Sequence, residues 1–376
     1  MSRLTMLDRA GLIICGVVAL AMLSACASGP TVLINTANAL LDPGAGDETI
    51  LFATVRSPSP EDEFGFSGLR ADEISYGMVN VRIPPQRALG EISYPSERID
   101  LRRDFIARRI VPLNSDEALK SAIESRFADL PDSRRSVSLF IHGFNTDFAE
   151  GVFLFAQMVR DFQAPGVPVH FSWASAGLPQ GYLYDLESAN IARDDLADTI
   201  RDLNETSSEE MILVAHSMGG MVLMEALRQI GLEGDRGTLS SISAVVLAAP
   251  DIDIDVFEEQ LRALEPRPFP ILVFASRRDP ALRISSRLRG RQPRVGDGSA
   301  VTRLENAGIE VIDLTDIEGS RRDEHNKFAN SPFVINMIRQ AEAVRESLDT
   351  TPEETINIVE TALEVSGGVP GSAVAD

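Results

Sequence analysis

Ile212-Leu213-Val214-Ala215-His216-Ser217-Met218-Gly219-Gly220-Met221 is the stretch on which the reading of this chain turns. Met211 to His216 is apolar and reads as a buried strand, and residues 218 to 230 carry apolar side chains at helical spacing. A serine at such a junction is lifted out at the carboxyl end of the strand on a cramped turn. Small residues two before and two after it let strand and helix approach closely. Gly219 and Gly220 meet that demand. Ala215 stands where the G-x-S-x-G pattern has glycine, a departure that alanine is small enough to tolerate. Taken alone, the segment also fits an ordinary junction in which Ser217 is an N-cap.

The same alternation extends to both sides. Apolar, β-branched runs stand at Ile50 to Val55, Gly77 to Ile83, Val137 to His142, Val167 to Trp173, Met211 to His216, Ala244 to Ala249, Ile271 to Ala275 and Ile309 to Leu314. Helical spacing fills 147 to 163, 187 to 204, 218 to 230, 253 to 264 and 332 to 347. Strands apolar on both faces and alternating with helices predict a mostly parallel sheet covered on both sides. The first runs have no helix between them and should form an antiparallel edge. One domain over 49–348 suffices, and residues 250–270 are too few for a large cap domain.

The companions of Ser217 favour chemistry over capping. Leu139-Phe140-Ile141-His142-Gly143-Phe144-Asn145 is an earlier strand ending in His-Gly, and the loop after it is where a backbone N–H for a developing oxyanion belongs. The N–H groups of Phe144 and Met218 are the candidate donors, and Asn145 is read as a structural residue that caps the following helix. The chain has four histidines, His142, His170, His216 and His325. His142 should fix the loop, His170 lies in a buried strand, and His216 should point beneath the turn, away from the chemistry. His325 follows the last strand and is the candidate base. Asp279, three residues past the strand Ile271 to Ala275, is the candidate acid; Asp251, directly after the preceding strand, is the alternative.

With these segments in place, the chain resembles a bacterial family of α/β-hydrolases of unknown function, some of which look like exported lipoproteins. The resemblance runs from about Leu51 to Ala343. Besides the Ser217 and His142 segments it includes Phe171-Ser172-Trp173-Ala174-Ser175, Ser188-Ala189-Asn190-Ile191-Ala192-Arg193, Leu247-Ala248-Ala249-Pro250-Asp251-Ile252-Asp253 and Asp279-Pro280-Ala281-Leu282. It implies the α/β-hydrolase fold and a matching Ser217–His325–Asp279 triad, and it supplies no substrate.

The N-terminus reads as an export signal: Arg3 and Arg9 precede the apolar run Gly11 to Leu23, which is short for a membrane span. Leu23-Ser24-Ala25-Cys26 resembles a bacterial lipobox, which implies cleavage of residues 1–25 and acylation of Cys26. Residues 26–48 then form a linker, and 349–376 an acidic, partly disordered tail. Of the two cysteines, Cys15 lies in the discarded segment and Cys26 carries lipid, so no disulfide is expected. Ala27 is not an inner-membrane retention aspartate, so the expected location is the cell envelope, on the outer membrane facing the periplasm.

A formal charge of -21 repels phosphate backbones and argues against nucleic-acid binding. No Cys/His cluster, Walker loop or dinucleotide fingerprint is present, so neither metal nor cofactor is expected. The substrate is expected to be a small-molecule or lipid ester. Tyr182 and Tyr184, in the wall candidate Ser175 to Leu186, and Arg283 and Arg287, within the basic run from Arg277 to Arg294, are rim candidates; paired surface arginines are the plainer reading of that run. Two other functions stay open: a non-catalytic envelope binding or scaffold lipoprotein, and an acyltransferase to an acceptor other than water.

Overall fold

The computed structural model describes residues 46–348 apart from 63, 96–98, 129, 132–133 and 318–323. The expected signal peptide, Cys26, nearly all of its linker and the C-terminal tail lie outside the described residues.

The chain opens with β1 (Gly46–Pro58), β2 (Phe66–Ile83) and β3 (Ile106–Leu113), followed by α1 (Asp116–Phe127). Strand and helix then alternate through β4 (Ser136–Ile141), α2 (Phe148–Phe162), β5 (Val167–Ser172), α3 (Tyr182–Asn204), β6 (Glu210–His216) and α4 (Met218–Glu233). After the short α5 (Arg236–Ser240) come β7 (Ile242–Ala248), α6 (Ile254–Leu264), β8 (Ile271–Ala275), α7 (Pro280–Leu288), α8 (Val301–Asn306) and β9 (Glu310–Asp313). Helices α9 (Lys327–Asn330) and α10 (Pro332–Leu348) close the described chain.

The strands form one sheet in the order β3-β2-β1-β5-β4-β6-β7-β8-β9. Only β2 runs against the rest: it pairs antiparallel with β1 and β3, and every other pairing is parallel. The antiparallel edge and the parallel body agree with the expected architecture. Central strands β4, β5 and β8 are buried at every position, which is why they read as continuous apolar runs. On one face Leu51, Leu139, Leu213 and Val245 pack under α1, α3, α4 and α6; on the other Phe52, Phe140 and Ala244 pack under α2 and α10. Each such side chain removed from water contributes about 1.5–3 kcal/mol. Between β7 and β8 there is only α6, so no large cap sits there.

Three features differ from the sequence reading. Strand β2 reaches back to Phe66 and β3 was not anticipated; both carry exposed charged residues such as Asp72 and Arg109, and Pro112 in β3 is tolerated because that strand is an edge. Helix α3 starts at Tyr182 rather than 187, after a single 3-10 turn at Pro179–Gly181, so most of the wall candidate is ordered. Helices α1 and α7 and the short α5, α8 and α9 were also missed.

Candidate active site

Strand β6 stops at His216, and Ser217 takes φ 53° and ψ -121° before α4 begins. A non-glycine residue there is strained by about 1–3 kcal/mol and persists only where its surroundings hold it. They do: the Ser217 N–H donates to the Ala248 carbonyl at 2.9 Å, and the Ser217 carbonyl accepts from the N–H groups of Gly220 at 3.0 Å and Asp251 at 3.1 Å. A Cβ at Gly219 would overlap the carbonyl oxygen of His142, so this glycine sets the approach of α4 to the end of β4.

The loop after β4 lies directly against this turn. A Cβ at Gly143 would stand 3.0 Å from Ser217 Cβ and 3.0 Å from His216 Nδ1. Among the described residues, no acceptor takes the N–H of Phe144 or the first-turn N–H of Met218. His142 is fully buried, its ring stacked on Trp173 at 5.1 Å, and Trp173 Nε1 donates to the His142 carbonyl at 2.8 Å. Its ring therefore serves the loop. Asn145 does not cap α2; Asp147 does, in a capping box with Glu150, while Asn145 adopts φ 55° and donates its N–H to Asp185 at 3.3 Å.

Asp279 is the N-cap of α7. Its Oδ1 accepts from the N–H groups of Ala281 and Leu282, and its Oδ2 faces His325 Nδ1 at 2.6 Å. Burial alone would raise this carboxyl's pKa, but the charge of His325 and hydrogen bonds from His325, Leu282 and Ala281 outweigh it and hold the group below its usual range. A carboxylate can only accept, so Nδ1 carries a proton, and in the neutral form of this imidazole the basic nitrogen is then Nε2.

His216 corrects an expectation. Its ring does not turn away from the chemistry but lies 4.7 Å from the ring of His325 and 5.0 Å from Phe328, with Nε2 3.2 Å from the His325 carbonyl. Burial, and then His325, pull its pKa down to about 3, so it is neutral and its Nε2–H donates to that carbonyl. Thus the residue preceding Ser217 props the backbone of the candidate base. Lys327, buried, donates from Nζ to the Leu314 carbonyl at 3.1 Å and ties the same loop to the chain just past β9. His170 is enclosed in β5, as read, with its pKa pulled down to about 3 by burial and Arg56.

Asp251 faces a different set. Ser285 Oγ donates to it at 2.6 Å, Tyr182 OH at 3.3 Å, and the fully buried Arg294 places Nε 3.3 Å from Oδ1. Its carboxylate is a clamp between β7, α3 and α7, whereas Asp279 faces the imidazole. The rim candidates divide. Tyr182 packs edge-on against Phe144 at 5.4 Å while its hydroxyl meets Ser285 at 2.9 Å. Tyr184 turns to β2, donating to the Gly68 carbonyl under the guanidinium of Arg70. Arg283 donates to the carbonyls of Arg278 and Asp279, Arg277 and Arg278 pair with Asp313 and Asp316, and Arg287 is exposed.

The sequence reading missed Arg56, Asp185, Ser285 and Lys327, while Arg294, read as part of the basic run, is buried and paired with Asp251. A lone charge at the end of an apolar strand, as at Arg56, was the one legible signal. A cleft of about 480 Å³ opens at the opposite end of the sheet, beside Gly46, Arg87, Asp161 and Arg339, away from every residue above.

The model of a family described as alpha/beta hydrolase of unknown function (DUF900) matches residues 118–342. That span starts in α1, so β1 to β3 lie outside it and the match is shorter than the resemblance read from Leu51 onward. No curated protein matches. Similar solved structures include esterase 2 of Thermogutta terrifontis phosphoramylated by tabun (13% identity, 65% of this chain and 89% of that chain, TM-score 0.35). Lipase B of Aspergillus fumigatus is 15% identical over 61% of this chain and 57% of its own, with TM-score 0.38. A structure from an analysis of two Rhizomucor miehei esterases is 13% identical over 91% and 89%, with TM-score 0.34.

Proposed function

The chain belongs to this family of α/β hydrolases of unknown function, and from that membership together with the surroundings of Ser217 we propose that it is a serine hydrolase of ester-type acyl bonds. The observation that carries the proposal is the His325–Asp279 hydrogen bond at 2.6 Å, made by an imidazole that rests on the residue next to a strained serine.

In this reading Ser217 Oγ attacks the carbonyl carbon while His325 Nε2 takes its proton, and Asp279 stabilises the resulting imidazolium. The carbonyl electron pair moves to oxygen, which the N–H groups of Phe144 and Met218 receive. Collapse expels the alcohol, which takes the proton from His325. Water then repeats the sequence on the acyl-enzyme and releases the carboxylic acid. The lack of a cap between β7 and β8 is compatible with a small-molecule or lipid ester. We also place the protein at the cell envelope, held through acylated Cys26 on the outer membrane; the lipobox-like Leu23-Ser24-Ala25-Cys26 supports this.

A fluorophosphonate probe tests the catalytic reading. It should label the unaltered chain and leave Ser217→Ala unlabelled, and an ester panel of varied acyl length should be turned over only by the former. Equal labelling of both overturns the proposal. Incorporation of an alkynyl palmitate into the unaltered chain but not Cys26→Ser tests the anchor.

A further inference from the structure

Arg56 is a fully buried cation at the end of β1. No carboxylate lies within ion-pair distance of it among the described residues, and burial pulls its pKa down to about 10. Burying a charge costs several kcal/mol, which its hydrogen bonds and the more distant carboxylates of Asp147, Asp185 and Glu150 offset here. Its hydrogen bonds show what it reaches. Nε donates to Ser172 Oγ at 2.8 Å, Nη1 to the carbonyl of Ser175 at 2.8 Å, and Nη2 to the carbonyl of Thr146 at 2.7 Å, with His142 Nε2 3.3 Å away.

Those contacts, with a longer one from Nη1 to the Ser67 carbonyl at 3.4 Å, tie the loop after β4 to the turn after β5. Thr146 is two residues past Phe144, and Ser175 closes the turn after β5. Asp185 completes the clamp from the opposite side: it accepts from the Ser175 hydroxyl at 2.6 Å and from the N–H groups of Ala176 at 2.7 Å and Asn145 at 3.3 Å. The loop from His142 to Asp147 is therefore held through a carbonyl by a cation and through an N–H by an anion. Asn145 is bent into a left-handed conformation between them.

We infer that Arg56 is the positioning residue of the oxyanion hole, fixing the Phe144 N–H against Ser217 by gripping the loop two residues downstream. The inference rests on the hydrolase reading above. A hole is useful only if its donors already point at the oxygen's future position, so a loop displaced by a fraction of an ångström loses transition-state binding more than substrate binding.

The test compares the unaltered chain, Ser217→Ala, Arg56→Met and Arg56→Lys on p-nitrophenyl butyrate, with inhibition by an aryl trifluoromethyl ketone, whose Ser217 adduct carries the oxyanion. Arg56→Met should lower kcat about 100-fold with KM within about threefold, and weaken the ketone in proportion. Arg56→Lys, which keeps the charge but grips one carbonyl at a time, should fall between. Should Arg56→Met fail to fold, Arg56→Lys and Ser172→Ala carry the test, and a kcat lowered about fivefold or more at unchanged KM supports the inference. Turnover that depends on Ser217 but persists at full kcat in the Arg56 variants, or a loss carried by KM with the ketone unaffected, overturns it. Absence of Ser217-dependent turnover in the unaltered chain removes the hydrolase reading itself, and this inference with it.

Discussion

His325 turns Nδ1 to Asp279 Oδ2 at 2.6 Å, and the other oxygen of Asp279 is held by the first turn of α7. The carboxylate is thus aimed before the imidazole arrives, and it selects the tautomer in which Nε2 is basic. In Asp279→Asn the Oδ1 cap can be kept, but an amide NH2 then faces Nδ1 and favours the opposite tautomer. We expect kcat to fall about 10³–10⁴-fold with a folded protein. Steady-state kinetics together with a melting curve check this; full activity would remove Asp279 from the mechanism.

Asp251 should respond in the opposite sense. It lies beside the wholly buried Arg294, so Asp251→Asn leaves that guanidinium only the longer contact with Asp253 at 4.0 Å and should cost about 3 kcal/mol of stability. Its effect on kcat should stay within about tenfold, because its carboxylate is engaged by Tyr182, Ser285 and Arg294, whereas Asp279 faces His325. Denaturant titration and kinetics on the same preparation separate the two effects. A kcat loss matching that of Asp279→Asn would make Asp251 the acid.

What the sequence made legible was periodic and local. Buried parallel strands such as Val167–Ser172 announce themselves because both faces are apolar, and the Ser217 turn because only small neighbours fit it. Order along the chain made His325 the candidate base and Asp279 the candidate acid, with Asp251 left open beside it. What stayed hidden depends on contacts between residues far apart. Arg56 and Thr146 are separated by 90 positions and Arg56 and Ser172 by 116, and no local pattern reports such a pairing. His216 was misread for the same reason: alternation along β6 gives the side of the sheet, not the loop that later folds onto it. Edge strand β3 was missed because its half-exposed, charge-bearing pattern carries little apolar signal.

Gly219→Ala probes the turn itself. The added methyl would meet the His142 carbonyl, a backbone atom that can move only with the loop bearing Phe144. Overpacking of this kind costs about 1–3 kcal/mol, and here the relief of strain must separate α4 from β4. We expect a lower melting temperature and a kcat loss of at least about tenfold, larger than for Ala215→Gly at the other small position. Wild-type kcat in Gly219→Ala would show that the junction has slack and that the close approach of loop and turn is not needed.

The buried histidines set the acid limit of stability. His170 and His216 are each at most 5% exposed, and burial pulls both imidazoles down to about 3, whereas an unfolded chain titrates them near 6.5. Below about pH 6.5 the unfolded state binds protons that the native state refuses, so stability falls with pH by about 1.4 kcal/mol per unit for each histidine until the native value is reached. Asp279 acts in the same direction at lower pH: its contribution is complete above the usual carboxylate range and is lost as pH falls through its depressed native value. Asp147 and Asp185, raised by burial, oppose this by taking up protons first in the native state. His170→Phe isolates one term, since the ring already lies between Phe140 and Phe148 and neither nitrogen has a hydrogen-bond partner among the described residues. Urea midpoints at pH 7.5, 6.0 and 5.0 should decline in the unaltered chain and decline less steeply in His170→Phe, by about one proton's worth of slope. Equal slopes would mean that His170 is charged in the folded protein and that the core around it is wetter than its packing indicates.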